Sequence, residues 1–284
     1  MLTKTTERFA RLQLAVFFVL ALFAWVIWIP QAGYKLGLVE SAVSLRSPLN
    51  ALTVWSPGLA AILLTAFSSR RAGMRRLLGG LGRWRVGFRW YLVAVLFEPA
   101  RWLLSVGIDR LLGSGYALGP MPVKVILGSG PGFMIVVAVI FTLPNAIGEE
   151  IGWRGFALPR LQARYSPIVA TLFLGLFWGL WHIPAWIGQG LSTSVSSMLI
   201  RVGGLVATAF VFTWIYNSTR GSLMPVVLFH AAIAAKNYLF PSLPTHTDDV
   251  VLFIFVGVLV LTTRPAWLRL RETGADALAH EQAG

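Results

Sequence analysis

Eight apolar runs, each long enough or almost long enough to cross a lipid bilayer, dominate the chain. A membrane-spanning helix needs about 20 mostly apolar residues. The runs cover residues 10–30, 50–68, 90–112, 132–153, 167–188, 199–217, 222–240 and 249–264. Only 12% of the residues are charged, whereas soluble domains carry about 25%. The sequence therefore predicts an all-α polytopic membrane protein, folded as a bundle of about eight transmembrane helices.

The apolar runs follow one another without a long polar block that could fold separately. We therefore expect a single membrane domain over residues 1–284, with a polar C-terminal tail at 265–284. The chain contains no cysteine, which excludes disulfides, thiolate metal ligands and a cysteine nucleophile.

The basic residues predict the orientation of the chain. If the N-terminus is cytoplasmic, alternating connections place 17 of the 24 basic residues on the cytoplasmic side. This distribution follows the positive-inside bias and predicts a multi-pass protein of the cell membrane with both termini cytoplasmic. The same bias accounts for the net charge of +13, so we expect no nucleic-acid partner. The arginine-rich segment 69–89 is interpreted as an amphipathic anchor on anionic headgroups.

Charged residues inside the apolar runs point to particular pairings. Glu98 and Arg101 lie three residues apart, so they share a helix face and are expected to neutralise each other. The stretch Phe141–Leu158 contains the adjacent carboxylates Glu149 and Glu150, followed by Arg154. Each charge at membrane depth costs at least about 2.5 kcal/mol, so such groups usually have a function.

The two glutamates cannot have the same role, because successive helical residues point about 100° apart. Glu150 and Arg154 are four residues apart, which suits an ion pair. Glu149 is then left to face a cavity as a general base. Pro144, five residues before Glu149, is expected to kink this helix and admit water.

Two of the four histidines, His182 and His230, lie in later apolar runs. A glutamate and a histidine from different helices can hold one water, which attacks a carbonyl as the glutamate takes its proton. A second histidine can donate to the developing oxyanion. Asn237, seven residues after His230, shares its helix face and is a further candidate catalytic residue.

Other functions use the same residues. Glu149, His182 and His230 form a possible Zn²⁺ ligand set with one open position, although no H-E-x-x-H helix is present. A proton-coupled transporter also uses intramembrane Glu and His. A non-catalytic immunity or scaffold protein that keeps the bundle is the third alternative.

The ordered motifs resemble those of a known family. Glu149-Glu150-x-x-x-Arg154, then Trp178-x-x-x-His182, then His230 is similar to the triple of the CPBP family, which includes CAAX-type prenyl proteases and bacteriocin-processing, Abi-like relatives. The resemblance covers about 130–240, which is taken as the catalytic core. It implies eight membrane helices and an intramembrane glutamic endopeptidase, a class formerly described as metalloproteases, with no cofactor.

By resemblance, Glu149 activates water with His182, His230 contributes to the oxyanion hole, and Glu150 and Arg154 organise the site. The implied substrate is a peptide or protein, either prenylated or otherwise tethered to the membrane. Two positions depart from the family pattern: Trp178 stands where Phe is common, and Ala234 stands where Asn or Asp usually follows the third histidine.

Overall fold

The structure, a computed structural model, describes residues 4–44, 47, 49–115, 117 and 131–262. Helices are the only regular secondary structure in these ranges. They are α1 (Lys4–Ala21), α2 (Trp25–Lys35), α3 (Leu49–Gly82), α4 (Phe88–Leu111), α5 (Pro131–Glu150), α6 (Leu158–Gln162), α7 (Pro167–Gly188), α8 (Val195–Ser218), α9 (Met224–Leu239) and α10 (Thr247–Thr262). A 3₁₀ turn joins α1 to α2 at Leu22–Ala24, and a π-helical segment joins α5 to α6 at Ile151–Ala157.

A helix lies at each of the eight predicted spans, which confirms the all-helical, multi-pass membrane class. Within the described part, five helical stretches are long and apolar enough to cross a bilayer: Arg8–Lys35, Leu52–Gly82, Phe88–Leu111, Pro167–Gly188 and Val195–Ser218. Helices α9 and α10 have 16 residues each, which is short for a full crossing. The predicted tail at 265–284 lies outside the described residues.

Most of the arginine-rich segment 69–89 is helical. Helix α3 continues through this segment to Gly82, with a break at Arg70, whose φ of 45° is not helical. Leu77 is buried, while Arg75 and Arg76 are exposed. The segment is therefore an amphipathic helix packed along the end of the bundle, and its contact with a membrane surface stays a prediction.

Helix α3 approaches the site-bearing segment closely because glycines remove the side chains between them. A Cβ added at Gly152 would lie 2.5 Å from the backbone of Pro57, and one at Gly148 would lie 2.7 Å from the indole of Trp55. Glycines four residues apart allow such contact between membrane helices. The same spacing recurs in α7, where a Cβ at Gly175 would lie 2.9 Å from Ala209 of α8.

An ion cluster ties α4, α9 and α10 together at the other end of the bundle. Arg101 pairs with Glu98 at 2.6 Å, which confirms the predicted pair, and with Asp248 of α10 at 2.9 Å. Lys236 of α9 also contacts Asp248 and lies 3.7 Å from Glu98. The cluster therefore has two cations and two carboxylates, so the buried charges neutralise one another.

Candidate active site

Glu149 and Glu150 end α5, where the regular helix gives way to the π-helical segment. Short π-helical segments in α-helices frequently occur at functional sites. This one contains Gly152, which lies against α3, and Gly155, which lies close to Leu77 and Leu223. Trp153, Arg154 and both glutamates are buried. The expected proline Pro144 lies within α5, one and a half turns before the pair.

Glu149 is held by two indole groups. Its Oε2 accepts hydrogen bonds from Trp153 Nε1 at 3.1 Å and from Trp178 Nε1 at 2.8 Å. Its Oε1 lies 3.9 Å from His230 Nε2, which is too far for a hydrogen bond. Among the described residues, no donor is bonded to Oε1. Oε2 is therefore held in place, while Oε1 is available to accept a hydrogen bond or a proton.

Glu150 has different partners. Its Oε1 accepts from Arg154 Nη1 at 2.7 Å and contacts His230 Nδ1 at 2.6 Å. The Arg154 guanidinium lies over the ring of Phe212, 3.8 Å from its centroid, and 4.9 Å from that of Trp178. These cation–π contacts replace some of the solvation that Arg154 loses inside the bundle. Glu150 and Arg154 therefore form the predicted ion pair, and the pair also orients His230.

His182 lies in an aromatic surround on α7. Its Nδ1 is 2.8 Å from the backbone carbonyl of Trp178. The indole of the same tryptophan donates to Glu149 and packs against the ring of His230. The rings of four tryptophans contact its imidazole: Trp28, Trp178, Trp181 and Trp186. The structure thus brings Glu149, His182 and His230 from three helices to one region.

The partners of the two imidazoles assign their protons. A carbonyl and a carboxylate both accept hydrogen bonds, so Nδ1 must donate in His182 and in His230. In the neutral form, the Nε2 atom of each ring then carries a lone pair. A proton on Nε2 of His230 converts that atom into a donor on the side that faces Glu149.

Asn237 lies away from this group. Its side chain is exposed, and it lines a cavity of about 420 Å³ near the ion cluster, together with Arg101, Lys236 and Asp248. Among the contacts of the described residues, none links Asn237 to His230, and its catalytic role stays a prediction. Ala234, at the position where the family pattern has Asn or Asp, is half-buried.

The sequence interpretation missed the two indole donors. Trp153 lies four residues after Glu149, and Trp178 lies four residues before His182. The first spacing places an indole over the carboxylate on the same helix face. The contact between Trp153 and Glu149 could therefore have been predicted from the sequence. The contact between Trp178 and Glu149 could not, because it depends on how α7 packs against α5.

Within the described ranges, no group of three or more His, Cys, Asp or Glu side chains is arranged to hold a metal ion. Glu149, His182 and His230 stay a candidate ligand set by residue type alone.

The region that contains the three motifs is similar to known proteins. Residues 131–235 match the family model described as type II CAAX prenyl endopeptidase Rce1-like. A protein of Methanococcus maripaludis, named CAAX prenyl protease 2, is 28% identical over 138 residues, which cover 45% of this chain and 48% of that protein. The similarity thus spans about half the length of that relative.

The matched segment contains the carboxylate pair, the arginine and both histidines that the structure brings together. Residues 131–235 are therefore similar to the type II CAAX prenyl endopeptidase Rce1-like family, in agreement with the resemblance seen in the sequence motifs.

Proposed function

We propose that this protein is an intramembrane endopeptidase that hydrolyses a peptide bond through a water activated by Glu149. The single observation that carries the proposal is the environment of this carboxylate: two indoles hold Oε2, while Oε1 faces His230 at 3.9 Å. A general base needs a fixed position and a free lone pair. Glu149 has both, in the region that matches the protease family.

In the first step, Glu149 Oε1 takes a proton from a water whose oxygen attacks the scissile carbonyl carbon. His182 assists through Nε2, because its Nδ1–H is bonded to the Trp178 carbonyl and leaves the Nε2 lone pair to accept a hydrogen bond from the same water. Holding the water between two acceptors orients its lone pair at the carbonyl and lowers the entropic part of the barrier.

The carbonyl oxygen becomes negatively charged as the tetrahedral intermediate forms. His230 Nε2, when protonated, donates to this oxyanion. Glu150 accepts from His230 Nδ1 at 2.6 Å and Arg154 fixes Glu150, so these two residues position the imidazole. Glu149 then returns the proton to the leaving nitrogen as the C–N bond breaks.

The substrate class follows from where the site lies. Glu149, His182 and His230 lie on helices of a multi-pass bundle, so the scissile bond must reach the protein at membrane depth. We propose a peptide tethered to the bilayer, by a prenyl chain or by its own apolar segment. We further propose that the protein lies in the cell membrane with both termini cytoplasmic.

Proteoliposome assays test the activity directly. Purified protein is mixed with membrane-tethered peptides that carry or lack a prenyl group, and the products are identified by mass spectrometry. Glu149→Gln and His182→Ala are expected to lower the cleavage rate at least about 100-fold, the usual contribution of general acid–base groups. Glu40→Gln, which alters an exposed carboxylate outside the bundle, serves as the matched control. Wild-type rates in both site variants would contradict the proposal and favour a non-catalytic membrane protein or a transporter.

We propose a metal-independent reaction, with no cofactor. The same assay with a strong chelator separates this mechanism from zinc chemistry. Unchanged cleavage after chelation supports the glutamate mechanism, whereas a loss that only added Zn²⁺ restores would assign Glu149, His182 and His230 to a metal.

A further inference from the structure

The connections α3–α4 and α8–α9 enclose a cavity of about 540 Å³ at the arginine-rich end of the bundle. Four of its lining residues are arginines, namely Arg83, Arg85, Arg89 and Arg220, and two are tryptophans, Trp84 and Trp90. Among the described residues that line it, none is Asp or Glu. We call this feature the arginine cavity.

Hydrogen bonds to backbone carbonyl oxygens hold the two connections together. Arg83 Nη1 donates to the carbonyl oxygen of Arg220 at 3.1 Å, and Ser222 Oγ donates to the carbonyl oxygen of Arg83. The Leu223 amide donates to the Gly80 carbonyl at 2.9 Å. The arginine cavity is therefore a defined part of the fold, and hydrogen bonds to backbone carbonyls keep its like charges together.

The indoles orient two of the cations. Arg85 lies over Trp84 at 5.0 Å, and Arg89 lies over Trp90 at 5.4 Å, measured from guanidinium carbon to ring centroid. Such stacking leaves the edge of a guanidinium free to donate to an anion. Planar N–H groups suit the oxygens of a phosphate. Tryptophan at the ends of membrane helices marks the level of lipid headgroups.

We propose that the arginine cavity binds the phosphate of one anionic phospholipid headgroup. The four positive charges in the described lining repel each other, and the negative charge of a phosphate reduces that repulsion. The location at the helix ends, with two indoles beside the cations, selects a membrane lipid over a soluble anion. Basic pockets between transmembrane helices bind lipid headgroups by this chemistry.

A general attraction of the whole arginine-rich end to anionic lipid would produce a weaker, unselective effect. The chain offers a matched control, since Arg75 and Arg76 are exposed on the same end but do not line the arginine cavity. The test variants are Arg85→Gln/Arg89→Gln in the cavity and Arg75→Gln/Arg76→Gln outside it. Both pairs remove two charges and keep Arg83 and Arg220, whose contacts hold the connections.

Native mass spectrometry measures the binding of phosphatidylglycerol and phosphatidylcholine to the purified protein. The wild type is expected to retain one phosphatidylglycerol in preference to phosphatidylcholine. Each arginine near anionic lipid contributes about 1 kcal/mol, so the cavity pair should weaken this binding about 30-fold. The control pair should stay within about threefold of wild type, and melting temperatures in detergent confirm that both variants fold.

Three results would overturn the proposal. Equal losses in the two variant pairs would show unselective surface attraction, and equal retention of the two lipids would show no headgroup selection. Displacement of the lipid by millimolar inorganic phosphate would assign the arginine cavity to a soluble anion. None of these outcomes depends on whether the protein cleaves peptides.

Discussion

Adjacent residues Glu149 and Glu150 acquire different chemistry from their neighbours. Glu150 is fully buried and bonded to Arg154 and His230, so its charge is neutralised and its position fixed. Glu149 receives only neutral indole donors at Oε2. Neutral donors hold a carboxylate without removing its charge. Glu149 is therefore held in place through Oε2, while Oε1 stays free to accept the proton that the proposed reaction transfers.

The indole of Trp178 provides the first residue-scale prediction. Trp178→Phe keeps an aromatic ring but removes the donor to Glu149 Oε2. A hydrogen bond to a charged group contributes about 1.5–3 kcal/mol, so we expect cleavage to slow about 10- to 100-fold. The measurement is kcat in proteoliposomes. Trp214→Phe, which changes an indole packed against Trp90 and Phe255 away from the site, is the control and should retain wild-type kcat.

The buried ion pair between Glu150 and Arg154 provides the second residue-scale prediction. Arg154→Met leaves Glu150 charged in the interior, which should destabilise the fold by about 3–5 kcal/mol. The double variant Glu150→Gln/Arg154→Met removes both charges and should recover most of that stability. Thermal unfolding in detergent measures both. The double variant should still lack activity, because His230 loses its carboxylate partner. Equal instability of the single and double variants would contradict a charge-based explanation.

At the scale of elements, glycine contacts determine where the carboxylates lie. Helix α3 touches the segment that carries Glu149 and Glu150 at two glycines. Gly148 directly precedes the two glutamates, and Gly152 follows them after Ile151. Helix α7, which carries Trp178 and His182, packs on α8 through Gly175 and Gly179 in the same way. Close helix approach of this kind is stabilised by van der Waals contact across the glycines.

Gly152→Ala tests this packing. The new Cβ would lie 2.5 Å from the Pro57 backbone, so α3 must move away from the site. We expect about 1–3 kcal/mol of destabilisation, typical of overpacking, together with loss of cleavage. Gly107→Ala in α4, where a Cβ meets nothing within 4 Å, should leave activity unchanged and stabilise the helix by up to about 1 kcal/mol. Thermal unfolding and the cleavage assay are run on both variants. Equal stability and equal activity of Gly152→Ala and Gly107→Ala would contradict this explanation.

At the scale of the whole molecule, the apolar runs predicted the positions of the helices because hydrophobic length is a local property. The pairs Glu150–Arg154 and Glu98–Arg101 were predicted for the same reason, since their partners lie within one helical turn. Contacts between distant segments could not be predicted from the sequence. Asp248 and Lys236, for example, join the Glu98 cluster only after α4, α9 and α10 pack together. The π-helical segment was also missed, because no hydrophobic period marks it.

The orientation of the bundle is the last prediction. The chain contains no cysteine, so a single introduced thiol reports one position without background. Arg71 is exposed near the break in α3, and His246 is exposed in the connection before α10. If both termini are cytoplasmic, a membrane-impermeant maleimide added to intact cells should label His246→Cys but not Arg71→Cys, and inverted vesicles should reverse the result. Labelling of both positions from one side would contradict opposite placement of these ends, and the reversed pattern would place the arginine cavity on the outer face.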